Sequence, residues 1–224
     1  NHYGFSKDAS PYIHQLRTWE TLLQSDKSVV VASGTGSGKT EAFMIPILSD
    51  IICQAEKTGE KLEGVQALFL YPLNALIQSQ KERFSAWTAP YNGKIRYCLY
   101  NGNLPEETRH TNDDQKHPEE ILDRKRLWQS PPPLLITNPT MLEYMLIRKK
   151  DSNILRASQG KLKYIVLDEA HTYMGSQAAE LSLLLRRVLA AFGVKKEEVR
   201  FIASSATIGG DDATGQLQRF LASV

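Results

Sequence analysis

Only two cysteines, Cys53 and Cys98, occur in the 224 residues. That count fits neither a disulfide framework nor a zinc cluster. Both lie in apolar or aromatic surroundings, which predicts reduced, buried thiols and a cytoplasmic protein. No apolar run approaches the roughly 20 residues needed to span a bilayer, and the start at Asn1 shows no signal-peptide pattern. No membrane partner is therefore expected. Excess charge of one sign is missing too. With 27 basic and 25 acidic side chains, the net charge is +2, too mild by itself to demand a nucleic-acid partner. No internal repeat or low-complexity tract appears. The 42% hydrophobic content allows a full core, and the length reads as one domain. The missing initiator Met and the stop at Val224 predict a piece cut from a larger protein.

What is present is an alternation. Apolar runs of strand length recur at Ser28–Ala32, Ala67–Tyr71, Ile95–Tyr100, Leu134–Thr137, Tyr164–Leu167 and Arg200–Ala203. Several are nearly continuous Val, Ile, Leu or Phe, as in strands covered on both faces. Helix-period segments separate them, at Pro11–Gln24, Lys39–Lys57, Ala75–Trp87, Glu119–Gln129, Thr140–Leu146, Ser176–Phe192 and Thr214–Ala222. The pattern predicts an α/β fold with a mostly parallel central sheet and helices on both faces. Residues 104–133 are polar, carry both charge signs and end in Pro131-Pro132-Pro133, which predicts a surface excursion with one short helix.

Two stretches at the carboxyl ends of strands carry chemistry. SGTGSGKT, Ser33 to Thr40, is a glycine-rich turn ending in Lys-Thr. In Gly34, Thr35, Gly36, Ser37 and Gly38 the backbone N–H groups are free to cradle phosphates. Lys39 would reach the outer phosphates and the Thr40 hydroxyl would ligate Mg²⁺. DEAH, Asp168 to His171, supplies a carboxylate pair: Asp168 for the magnesium shell and Glu169 to orient and deprotonate a water. Ser33 stands where the strict loop pattern wants glycine. Gln15, 24 residues before Lys39, offers a planar amide to the adenine edge, and Tyr12 a ring to stack on the base. ATP and Mg²⁺ are the expected cofactors, with Lys39, Asp168 and Glu169 as catalytic candidates. Asn74, Gly102, Thr137 and Asn138, each after a strand, are candidate nucleic-acid contacts that form and release easily. Asn101-Gly102 is equally a common hairpin turn.

Together these residues resemble the first RecA-like domain of a superfamily 2 helicase of the DEAH-box type, over nearly the whole chain. His14-Gln15 looks like that family's adenine motif, SGTGSGKT its motif I and DEAH its motif II. YPLNAL at Tyr71 to Leu76 resembles motif Ia, with Leu73 and Asn74 replacing the usual hydroxyl and cation. SSAT at Ser204 to Thr207 resembles motif III, which links hydrolysis to strand movement. That likeness makes His171, Ser205 and Thr207 coupling candidates. The run of TNPTML, DEAHTYMG, Arg186-Arg187 and SATIGG is similar to the YprA/MrfA branch of DNA helicases. The resemblance implies a 3′ to 5′ DNA motor of bacterial genome maintenance, with relatives in phage defence. It also implies a second RecA-like domain, no motif for which appears before Val224, so the chain alone is expected to hydrolyse ATP weakly. RNA as the track stays open. Two other readings are a P-loop kinase, which SSAT after DEAH disfavours, and a nucleotide-gated DNA clamp without unwinding activity.

Overall fold

The computed structural model describes residues 10–25, 27–34, 36–108, 117–173, 175–206 and 211–224, with Ser176 and 211–214 by backbone alone. Among them, seven strands form one all-parallel sheet: β1 Val29–Ala32, β2 Ala67–Leu70, β3 Tyr97–Leu99, β4 Glu120–Ile121, β5 Leu134–Thr137, β6 Tyr164–Leu167 and β7 Arg200–Ser205. Their spatial order is β1-β7-β6-β2-β5-β3-β4. The helices are α1 Ile13–Gln24, α2 Lys39–Thr58, α3 Asn74–Ser79, α4 Lys81–Thr88, α5 Arg124–Gln129, α6 Pro139–Ile147, α7 Ser152–Ala157, α8 Ser176–Phe192 and α9 Asp211–Ser223. None among the described residues is long and apolar enough to cross a membrane.

Side chains alternate across the sheet, so each face has its own core. Phe69, Tyr71, Ile136, Val166 and Ile202 pack with Phe43, Met44 and Ile47 of α2. Leu68, Leu135, Ile165 and Phe201 pack on the other face with Leu181, Leu184, Leu185 and Val188 of α8. The α8 stripe is therefore core, as its helical spacing implies. Burial on both faces is why the central strands read as unbroken apolar runs.

Several expectations need correction. The helix expected over 75–87 is two helices meeting at Gln80. The helix expected over 119–129 is a two-residue strand followed by α5. Asp123 caps α5 by accepting from Arg126 N at 2.8 Å. Polar composition also concealed how firmly the described part of the 104–133 excursion is tied down. Glu119, Ile121, Asp123 and Leu127 are buried, and β4 pairs with β3 as the sheet's edge. Two buried acceptors hold this side of the molecule together. Asp123 Oδ2 accepts from Thr108 Oγ1 at 2.7 Å, and Asp151 takes both Tyr100 Oη and Trp128 Nε1 at 2.7 Å. Cys98 is buried, and burial pushes its thiol far above the usual range. Cys53 is exposed on α2, against the expectation. Asn101-Gly102 closes no hairpin, because both neighbours of β3 run parallel to it; Asn101 Oδ1 instead accepts from Asn103 N at 2.9 Å, an Asx turn.

Candidate nucleotide and magnesium site

The phosphate-loop candidate joins β1 to the N-terminus of α2, where unpaired backbone N–H groups and the helix dipole favour an anion. Gly36 and Gly38 have φ of 75° and 77°, a region side-chain-bearing residues rarely enter. Lys39 is the first residue of α2. Its Nζ donates to the carbonyls of Ser33 at 2.8 Å and Gly34 at 3.2 Å, folding back across the loop. Ser37 Oγ donates to Gly34 O at 2.6 Å. Ser33 pairs with Ser37 through their hydroxyls, and its N–H donates to Ser205 O at 3.4 Å. The serine in place of glycine is thus built into the loop. Thr40 lies half-buried in the first turn of α2, and Thr35 lies outside the described residues.

Gln15 is only 2% exposed, and both ends of its amide are engaged. Its Nε2 donates to Gly38 O at 3.0 Å and its Oε1 accepts from Tyr12 N at 2.9 Å. The side chain expected to read adenine therefore ties α1 to the phosphate loop in this structure. Tyr12 is exposed, its ring stacked on His14 with centroids 5.6 Å apart.

Asp168 follows β6, one strand away from β1, with β7 between. The register pairs Leu167 with Leu70 and with Ala203. The next positions, Tyr71, Asp168 and Ser204, therefore stand side by side on the α2 face of the sheet. Ser204 Oγ donates to Asp168 Oδ1, which also accepts from Glu169 N at 3.0 Å. Burial raises the Asp168 carboxyl above its ordinary range. The Ser204 hydroxyl and the Glu169 N–H pull it back, and the Lys39 ammonium does so from across β7. A buried carboxylate, close enough to Lys39 for its charge to be felt, is an oxygen donor of the kind that suits Mg²⁺. A divalent cation would offset the burial that now disfavours the charge. The loop and the carboxylate therefore fit a magnesium-bound nucleotide.

Glu169 has φ of 50°, an unusual backbone for a residue with a side chain. Thr172 holds it by donating N–H at 2.9 Å and Oγ1 at 2.8 Å to the Glu169 carbonyl. His171 Nδ1 lies 3.4 Å from Glu169 Oε2 and 3.4 Å from Ser205 Oγ. The structure therefore brings together two of the three coupling candidates, His171 and Ser205; Thr207 lies outside the described residues.

Of the four nucleic-acid candidates, Asn74 and Asn138 meet: Asn138 Nδ2 donates to Asn74 Oδ1 at 2.7 Å. Asn138 also caps α6 through Met141 N at 2.8 Å. Gly102 is exposed at the tip of its turn. Thr137 is a correction. It is fully buried and donates its hydroxyl to Tyr100 O at 2.7 Å, so its side chain stitches β5 to β3 and is not available to a strand. Ser204 and Tyr71 were missed, because only the register reveals that they flank Asp168.

Comparison with known proteins gives consistent likenesses. The chain is 29% identical to Druantia protein DruE of Escherichia coli (strain UMEA 4076-1), over 89% of the chain and 16% of that protein. It is 27% identical to the uncharacterized ATP-dependent helicase YprA of Bacillus subtilis (strain 168), over 94% of the chain and 25% of YprA. The structure of the DUF1998 helicase MrfA bound to DNA and AMPPNP superposes with a TM-score of 0.65 at 27% identity, covering 91% of this chain and 25% of that one. The chain spans about a quarter or less of each of these proteins. The DEAD/DEAH box helicase family matches residues 12–214, nearly the whole sequence, and the chain belongs to that family.

Proposed function

We propose that residues 1–224 are the first RecA-like motor domain of an ATP-dependent helicase or translocase that moves 3′ to 5′ on DNA. The observation that carries the reading is the shared sheet edge of Lys39 and Asp168. The two are separated by β7 alone, and the Lys39 ammonium is near enough to offset a little of the burial that raises the Asp168 carboxyl. In this reading Lys39 exchanges its contacts with the Ser33 and Gly34 carbonyls for the outer phosphates of ATP. Thr40 Oγ1 and the Asp168 carboxylate would hold magnesium, which would supply positive charge to the phosphoryl oxygens when bound. The Glu169 carboxylate orients the attacking water and accepts its proton. His171, between Glu169 and Ser205, passes the state of the site to the segment after β7, which contains Thr207.

The exposed tips at Asn74 and Gly102 contact the nucleic acid, with Asn138 buried behind Asn74 and bonded to it. DNA as the track is supported by the likeness to MrfA, whose structure holds DNA. The arginines that complete the hydrolytic site come from a second RecA-like domain of the same protein, which acts in the cytoplasm in genome maintenance or phage defence. ATPase and strand-displacement assays on the full-length protein test the proposal. Lys39→Ala should lose nucleotide binding. Glu169→Gln should keep binding and lose at least about 10²-fold in turnover. Intact turnover in Glu169→Gln rejects its role as the base, and ATP turnover without strand release favours a clamp.

A further inference from the structure

Tyr71 is 1% exposed, and its hydroxyl makes no well-formed hydrogen bond among the described residues. Such a group is costly to keep and asks for a partner. Packing explains the ring, which belongs to the core beneath α2, but a phenylalanine would fill that space equally well. The hydroxyl is what needs explaining.

Its surroundings narrow the partner. Tyr71 stands beside Asp168 in register, since Leu70 pairs with Leu167, and the Tyr71 N–H continues the ladder to Thr137 O at 2.9 Å. On the opposite side of Asp168 stands Ser204. The Ser204 hydroxyl and the Glu169 N–H both reach the same oxygen, Oδ1, so neither takes Oδ2. The Tyr71 hydroxyl sits beside the Asp168 carboxylate, in a loose contact that falls short of a well-formed hydrogen bond. A phenol donates one hydrogen bond, and a carboxylate oxygen accepts more than one.

We propose that Tyr71 is a positioning residue for the divalent cation. By donating its hydroxyl to Oδ2 of Asp168, it sets the rotation of the carboxylate, so that the cation meets a fixed ligand. Ser204 and Tyr71 then grip the carboxylate from the two neighbouring strands, the arrangement by which outer-shell groups orient metal ligands. The inference rests on the magnesium-nucleotide reading above and adds a residue to it.

The test is the binding of a fluorescent ATP analogue to the 224-residue chain, titrated with MgCl₂ after EDTA treatment. The unmodified chain, Tyr71→Phe and Ser204→Ala are compared. Tyr71→Phe keeps the ring, so affinity in EDTA should match the unmodified chain. The Mg²⁺ concentration giving half of the metal-dependent gain should rise about tenfold. Ser204→Ala should move that midpoint in the same direction. The inference is overturned if Tyr71→Phe leaves the midpoint in place while Ser204→Ala shifts it. It is also overturned if Tyr71→Phe weakens binding equally with and without Mg²⁺, which marks a packing role. If the unmodified chain gains nothing from Mg²⁺, the site reading itself fails, and this inference with it.

Discussion

Gly38→Ala probes the contact between the phosphate loop and α1. A Cβ at Gly38 would fall 2.3 Å from Gln15 Nε2, and φ there is +77°. Two costs follow. Holding alanine in the left-handed region costs roughly 1–2 kcal/mol. Gln15 must also swing away and give up its 3.0 Å bond to Gly38 O, a further loss of about 1 kcal/mol. The expected destabilisation is about 2–3 kcal/mol, seen in urea unfolding followed by circular dichroism, or as a melting temperature about 4–12 °C lower for a chain of this size. A double-mutant cycle separates the two parts. In a Gln15→Ala background the clash and the bond are both already gone, so Gly38→Ala should cost only the backbone strain, about 1–2 kcal/mol. Equal costs in the two backgrounds would refute the packing of Gln15 on the loop, and no cost in either would refute the left-handed backbone.

Other outcomes can be checked with simple assays. Asp151→Ala leaves the Tyr100 hydroxyl and the Trp128 indole N–H without their acceptor and should cost at least about 2–4 kcal/mol in denaturant unfolding. A loss below about 1 kcal/mol would show that the two donors find other partners. Thiol titration with an aromatic disulfide should modify exposed Cys53 promptly and Cys98 only on unfolding, since burial raises the Cys98 pKa and closes access to it. Prompt reaction of both would refute the buried position of Cys98 on β3.

The unbroken Val29-Val30-Val31 and Ile165-Val166-Leu167 runs predict parallel strands buried on both faces; the second is so buried because helices cover both sides, whereas β1, at the end of the strand order, is only partly covered. SGTGSGKT and DEAH were legible for a different reason: their chemistry depends on neighbours in the chain. What stayed hidden depends on neighbours in space. The two-residue β4 exists only because Tyr97 and Cys98 offer it an edge. Thr137 has the residue type expected of a strand contact, yet the adjacent Tyr100 carbonyl claims its hydroxyl. Gln15 likewise suits a nucleobase until the carbonyl of Gly38 comes within reach. The row of Ser204, Asp168 and Tyr71 draws on three strands far apart in sequence, and only strand register assembles it.

The bond between Asn138 and Asn74 joins the loop after β5 to the loop after β2, and Asn138 is at the same time the cap of α6. A sideways pull on either loop is therefore shared by both and passed along the α6 axis. The two act as a single clasp with one keystone: losing Asn74 opens the clasp and leaves the cap, whereas losing Asn138 opens the clasp and frays the first turn of the helix behind it.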